Sequence, residues 1–170
     1  MIAEKLNTKE LFAALDDTAR ELLELVSAFD ENEVNTALYK DSWTRGQLTE
    51  HLVKSFRSIA GTLNSPGKIV EREPGERAQE LKATFLDFTV KFKSPESVLP
   101  TGEKHNKEML IADLESSIDE LKEARYKANL IEAITAPGLG EMTKLEFLYL
   151  ALYHTQRHIQ QMRSVGVLSE

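Results

Sequence analysis

Cysteine is missing from the 170 residues altogether. Its absence removes disulfides, thiolate metal sites, iron–sulfur clusters and cysteine nucleophiles together. Positive charge is in deficit: 21 Lys and Arg stand against 28 Asp and Glu, a formal net charge of −7. That balance argues against a general nucleic-acid binder, whose phosphate contacts need a basic face. Long apolar runs are missing too. The longest, Phe147–Tyr153, falls far short of the ~20 residues of a membrane span. The opening MIAEKLNTKE carries Glu4 and lacks the apolar stretch of a signal peptide, so a cytoplasmic location is the expectation, with no membrane partner. There is no His-Glu-x-x-His pair, no Gly-rich phosphate loop, no serine elbow and no repeated Glu-x-x-His of a di-iron bundle. The length suits one domain over residues 1–170 with a real core.

What is present is helical periodicity. A first helix is expected from about Thr8 to Phe29, with Leu11, Leu15, Ala19, Leu22, Leu23, Val26 and Phe29 on one stripe and Asn7 with Glu10 as its cap. A second begins after Thr44, where Gln47 completes a capping box and Trp43 can staple onto Leu48. Residues 64–104 collect most of the breakers, including Pro66, Pro74, Pro95 and Pro100. A short helix over Glu76–Asp87 and an irregular remainder are expected there. A third helix spans roughly Lys107 to Ile134, stopped by Pro137, Gly138 and Gly140. A fourth starts at Thr143 with Glu146 as its box partner and runs to about Val165, with Gly166 as its C-cap. The expected fold is all-α, a four-helix bundle.

Chemistry concentrates in histidine. His154 and His158 lie four apart, so both rings leave one helix face. Phe147, Ala151, Met162 and Val165 share that stripe, which turns the two imidazoles inward. His51 stands beside Leu48, Leu52 and Ser55 on the second helix, again facing the interior. An unpaired charged histidine there would be costly, whereas neutral imidazoles converging on one cation are a sensible solution, imidazole being a common ligand for Zn²⁺, Ni²⁺ and Fe²⁺. The plainer alternative has each ring simply bonded to a carbonyl or neighbouring side chain. His105, in a polar stretch, is expected at the surface.

The axial levels of these residues carry topology. His51 is seven residues past Thr44, about 10 Å along its helix, and His154 and His158 are about 16 to 22 Å past Thr143. If the fourth helix is ~30 Å long and antiparallel to the second, the levels agree. Short links 1–2 and 3–4 then require the second and third helices to run parallel, joined by a long crossover. The breaker-rich segment 64–104 supplies one, giving an up-down-down-up order.

The segments SWTRGQLTEHL (Ser42–Leu52) and LYHTQRHIQQM (Leu152–Met162) resemble the DinB/YfiT-like superfamily. The resemblance implies an up-down-down-up bundle, often a homodimer, with a divalent metal (Zn, Ni, Fe or Mn) on His51, His154 and His158. It also implies a small-molecule substrate, either hydrolysed or joined to a low-molecular-weight thiol. Three neutral imidazoles would leave the ion its full charge and an open position for a water, thiol or carbonyl. The rival reading is a non-enzymatic helical interaction module with structural histidines.

The remaining residues of interest have bland expectations. Glu50 is read as solvated, Gln47 as a cap, Tyr153 as packing and Trp43 as an anchor. Arg157 is read as a surface or inter-subunit ion pair, and Gln161 as lying on a solvated face in preference to orienting a metal ligand. Charged clusters such as Glu71–Glu73 and Glu120–Arg125 read as solvated faces. Apolar Phe85, Phe88, Phe92, Val98 and Leu99 in the crossover need cover, either as a lid on the metal pocket or against a second subunit.

Overall fold

Four long helices carry the core of the computed structural model, which describes residues 7–163: α1 (Thr8–Ala28), α3 (Arg45–Asn64), α5 (Lys107–Lys127) and α6 (Lys144–Arg163). Shorter pieces join them: α2 (Glu31–Val34), α4 (Ala78–Phe85), a 3₁₀ turn (Glu96–Val98) and strands β1 (Lys68–Ile69), β2 (Glu132–Ala136) and β3 (Gly140–Thr143). The expected fourth-helix end at Val165 and Gly166 lies outside the described residues.

Three helix starts follow one local rule. Asn7 with Glu10, Thr44 with Gln47 and Thr143 with Glu146 each form a reciprocal capping box, which satisfies two otherwise orphaned donors per helix. The inward stripes then bury Leu11 and Leu22 of α1, Leu48 and Leu52 of α3, Leu114 of α5, and Leu148 and Leu152 of α6. Each such side chain contributes roughly 1.5–3 kcal/mol relative to an exposed one.

Side-chain pairings fix the directions. Glu21 bonds Arg163 near the α6 end, and Tyr149 near the α6 start feels Glu10 of α1, so α1 and α6 run together. Lys107 at the start of α5 reaches Ser27 at the end of α1, and Arg125 near its end reaches Asp16, so these two are antiparallel. His105 beside the α5 start meets Glu50 early in α3, and Glu120 meets Arg57 further along, so α3 and α5 are parallel. The order is up-down-down-up, as the histidine levels require.

The third helix is shorter than its periodicity suggests. It ends at Lys127, and the expected helical residues 128–134 form a turn and most of β2. Ala128 is extended (φ −74°, ψ 146°), and β2 pairs antiparallel with both β3 and β1. The β2–β3 hairpin turns through Gly138 and Gly140, both at φ 78°, a conformation open to glycine at little cost. Pairing to the distant Lys68–Ile69 supplies hydrogen bonds that local propensity does not register.

This sheet holds the start of α6. Buried Lys144 donates to Glu132 (2.6 Å) and to the Ser65 carbonyl at the end of α3 (2.5 Å), which places the α6 start beside the α3 end and makes the two antiparallel. Glu146 is fully buried and accepts from Arg72 at 2.7 and 2.8 Å and from the Arg77 N–H at 2.7 Å. Arg72 therefore does not belong to a solvated cluster, and neither does buried Arg125, which donates to Asp16 at 2.5 Å. In both cases a carboxylate far off in sequence removes the cost of burying the charge. Among the described residues no helix is long and apolar enough to cross a membrane.

Candidate metal centre

α3 and α6 bring His51, His154 and His158 to one point. His51 lies two turns into α3, on the face carrying Leu48 and Leu52, and is 1% exposed. His158 is 8% exposed and His154 half-buried, one turn apart on the inner face of α6. The Nε2 atoms of His51 and His154 stand 3.0 Å apart, and those of His158 and His154 3.1 Å. All three ligand atoms lie within 4.8 Å of one another.

The outer ring nitrogens fix the tautomers. His51 Nδ1 sits 2.7 Å from the Val98 carbonyl, which can only accept, so Nδ1–H donates. His158 Nδ1 likewise donates to Gln161 Oε1 at 2.9 Å. Both Nε2 atoms therefore present lone pairs toward His154 Nε2, 3.0 and 3.1 Å away. Burial pushes all three pKa values down: His158 to about 3, reinforced by His51, and His154 far down, reinforced by His158 and His51. His51 is lowered by burial, against its bond to Val98. The result is three neutral imidazoles whose Nε2 atoms converge, two of them with lone pairs fixed inward, a donor set that fits a divalent cation. Nitrogens around one tetrahedral zinc at about 2.05 Å would stand about 3.3 Å apart, close to the two spacings made with His154.

The surroundings are aromatic. Trp43 lies 5.2 Å from the His51 ring and Phe85 5.9 Å edge-on to His154, with Phe92 stacked on Phe85 at 5.2 Å. The crossover thus covers the centre. Phe85 is half-buried and Val98 buried, whereas Phe88, Phe92 and Leu99 stay exposed.

Four residues expected to be bland are engaged. His105 is half-buried, not on the surface: its Nε2 donates to Glu50 at 2.7 Å. Its ring lies against Gly46, where an added Cβ would meet Nδ1 at 2.8 Å. Glu50 is not solvated either. It also accepts from Thr101 N (2.9 Å) and Oγ1 (3.0 Å) and pairs with Lys54 (3.0 Å). Although burial alone would raise its pKa, these donors together bring it down to about 2. Gln161, expected on a solvated face, holds His158. Arg157, expected to pair with a carboxylate, instead donates to the main-chain carbonyls of Phe85 (3.2 Å), Asp87 (2.9 Å) and Val90. Gln47 caps α3 as expected and also reaches the Thr101 carbonyl at 3.0 Å, and Tyr153 packs on Tyr149. The Val98 carbonyl has no sequence signal, because any residue in that backbone position supplies it.

The comparisons agree with this architecture. The DinB superfamily model matches residues 14–162, and the chain belongs to that superfamily. Two solved structures share its fold. One is TT2238, a four-helix bundle protein, at 20% identity and TM-score 0.62, over 92% of this chain and 98% of that one. The other is YfiT from Bacillus subtilis, described as a probable metal-dependent hydrolase with an unusual four-helix bundle topology. It matches at 15% identity and TM-score 0.60, over 99% of this chain and 92% of that one. No curated protein matches.

Proposed function

We propose that the chain is a metal-dependent hydrolase of small molecules, with His51, His154 and His158 as the ligands of one divalent ion. The observation that carries the reading is the convergence of three neutral imidazoles at their Nε2 atoms, two of them with lone pairs locked inward by Val98 and Gln161. YfiT, its structural relative, is described in the same terms, which supports the reading. When bound, a divalent ion on three neutral imidazoles supplies Lewis-acid activation of a water or of a substrate thiol.

The chain's own residues prepare that chemistry. Val98 and Gln161 hold the tautomers of His51 and His158, so no proton has to leave those two Nε2 atoms for an ion to bind. Phe85, Phe92 and Trp43 keep bulk water from the rings and lower the local dielectric. Neither nearby carboxylate is turned on the imidazoles: Glu50 is spent on His105, Thr101 and Lys54, and Asp87 on Thr89.

The test is a panel of ester, amide and thioester substrates, run with the purified, untagged protein. The reading expects turnover that a chelator abolishes, one equivalent of zinc or nickel restores, and His154→Ala removes. Consumption of a low-molecular-weight thiol under the same metal dependence would move the assignment to S-transfer. Activity indifferent to chelator and to His154→Ala would overturn both, leaving a non-enzymatic bundle.

A further inference from the structure

Arg157 lies between two candidate ligands on α6, three residues after His154 and one before His158. A three-residue step returns about 60° short of a full turn, so its guanidinium leaves the helix beside the His154 ring. Its charge acts on both His154 and His158. Its aliphatic stem and head lie under the crossover, with the guanidinium carbon 4.8 Å from the Phe92 ring centre.

The partners of this cation set it apart. Partly or fully buried Arg72, Arg77 and Arg125 each bond a carboxylate: Glu146, Glu80 and Asp16. Lys54, the cation that acts on His51, is neutralised by Glu50 at 3.0 Å. Arg45 and Arg157 pair with no carboxylate among the described residues, and of these two only Arg157 acts on the imidazoles. Asp87 is near enough to be felt by Arg157, but its carboxylate is turned to Thr89 N (3.0 Å) and Oγ1 (2.6 Å). Among the described residues, three main-chain carbonyls are the hydrogen-bond acceptors of the guanidinium, and they use three of its five N–H donors. Among the described residues no carboxylate joins the histidine set, so a bound cation would add to the same positive charge. The wall beside it is apolar, formed by Phe85 and Phe92.

From this juxtaposition we infer that Arg157 is a recognition site for an anionic group. The substrate of the centre is an organic anion, a carboxylate or similar group joined to an apolar body. The anion meets the guanidinium fork while the body lies on the Phe85–Phe92 pair. A planar guanidinium favours a carboxylate over a carbonyl, since two parallel N–H···O bonds then join opposite charges. Binding therefore draws Arg157 from the Phe85, Asp87 and Val90 carbonyls and loosens the strap over the histidines. The inference rests on the metal-centre reading for its catalytic meaning, but the binding step does not require the ion.

Phenylacetate and its neutral isostere phenylacetamide are the probes, titrated calorimetrically into the metal-free and the zinc-loaded protein. Phenylacetate is expected to bind at least about 10-fold tighter than the amide in both forms. Arg157→Gln should bring that ratio near one while leaving the affinity for the amide in place. Trypsin cleavage after exposed Lys91 and Lys93, in the strap, should quicken when phenylacetate is bound. If Arg157→Gln itself frees the strap, seen as fast cleavage without ligand, Arg157→Lys decides: it keeps the charge and loses the fork. A preference that survives in Arg157→Lys supports recognition of charge, and its loss there overturns it. Equal binding of the two probes also overturns the inference. So does a preference confined to the zinc form and indifferent to Arg157→Gln, for then the ion alone draws the anion. Failure of zinc to bind at all would instead sink the metal reading, without touching the metal-free result.

Discussion

The three imidazoles make a quantitative demand on the metal-free protein. Each is held neutral in the fold, by burial above all, while in the unfolded chain each titrates near 6.5. A folded pKa below the unfolded one means the unfolded state binds more protons, so stability is present above about pH 6.5 and lost as pH falls. His158, at about 3, stays neutral throughout the window from pH 7.5 to 5.5. Over that window such a group loses RT ln[(1 + 10)/(1 + 0.1)], about 1.4 kcal/mol. His154 and His51 are shifted the same way, by burial first, and add to this loss with the same sign. Glu50, held at about 2, contributes with the same sign but lower down, between about pH 4.5 and 2, and leaves this window clean. Urea melts at half-unit pH steps in the presence of EDTA measure the slope. Wild type should lose more than about 1.4 kcal/mol from pH 7.5 to 5.5, and His158→Gln about 1.4 kcal/mol less than wild type. A flat profile, or a slope that His158→Gln leaves unchanged, would refute the claim that the rings are buried neutral.

Three further outcomes follow from the geometry. Trp43 is the sole tryptophan and lies 5.2 Å from His51, so Co²⁺ or Ni²⁺ should quench its emission with a one-to-one end point, and His51→Ala should abolish the quenching. Gln161→Leu removes the acceptor that fixes His158 and should weaken metal affinity about 10- to 100-fold with the melting temperature of the metal-free protein little changed; equilibrium competition against a fluorescent chelator reads it. Glu50→Ala strands His105, Thr101 and Lys54 and should cost roughly 2–3 kcal/mol in a urea melt at pH 7; a loss under 0.5 kcal/mol would show that this network does not fasten the crossover.

The bundle was legible because its signals are local. Asn7, Thr44 and Thr143 announce helix starts through partners three residues away, and the apolar stripes announce faces. The histidine trio was legible for a related reason: helical spacing alone turns His154 and His158 inward, and axial arithmetic on short, capped helices puts His51 at their level. What escaped is non-local. β2 depends on Lys68–Ile69 across the bundle end, so residues 128–134 look helical by themselves. His105 and Glu50 look polar and exposed until the crossover folds back and gives each the other as partner. Arg157 and Val98 escaped because their contacts run through main-chain carbonyls, which every residue type carries. Gln161 is one turn from His158 and was within reach of spacing arguments, but a glutamine at that distance is equally at home in water.

The most direct measurement is anomalous diffraction at the edges of zinc, nickel, iron and manganese, from crystals of untagged protein and of His154→Ala. The account predicts a single peak in bonding distance of the Nε2 atoms of residues 51, 154 and 158, absent in the variant. No peak at that point after exposure to each ion in turn, or one that persists unchanged without the residue 154 imidazole, would contradict it.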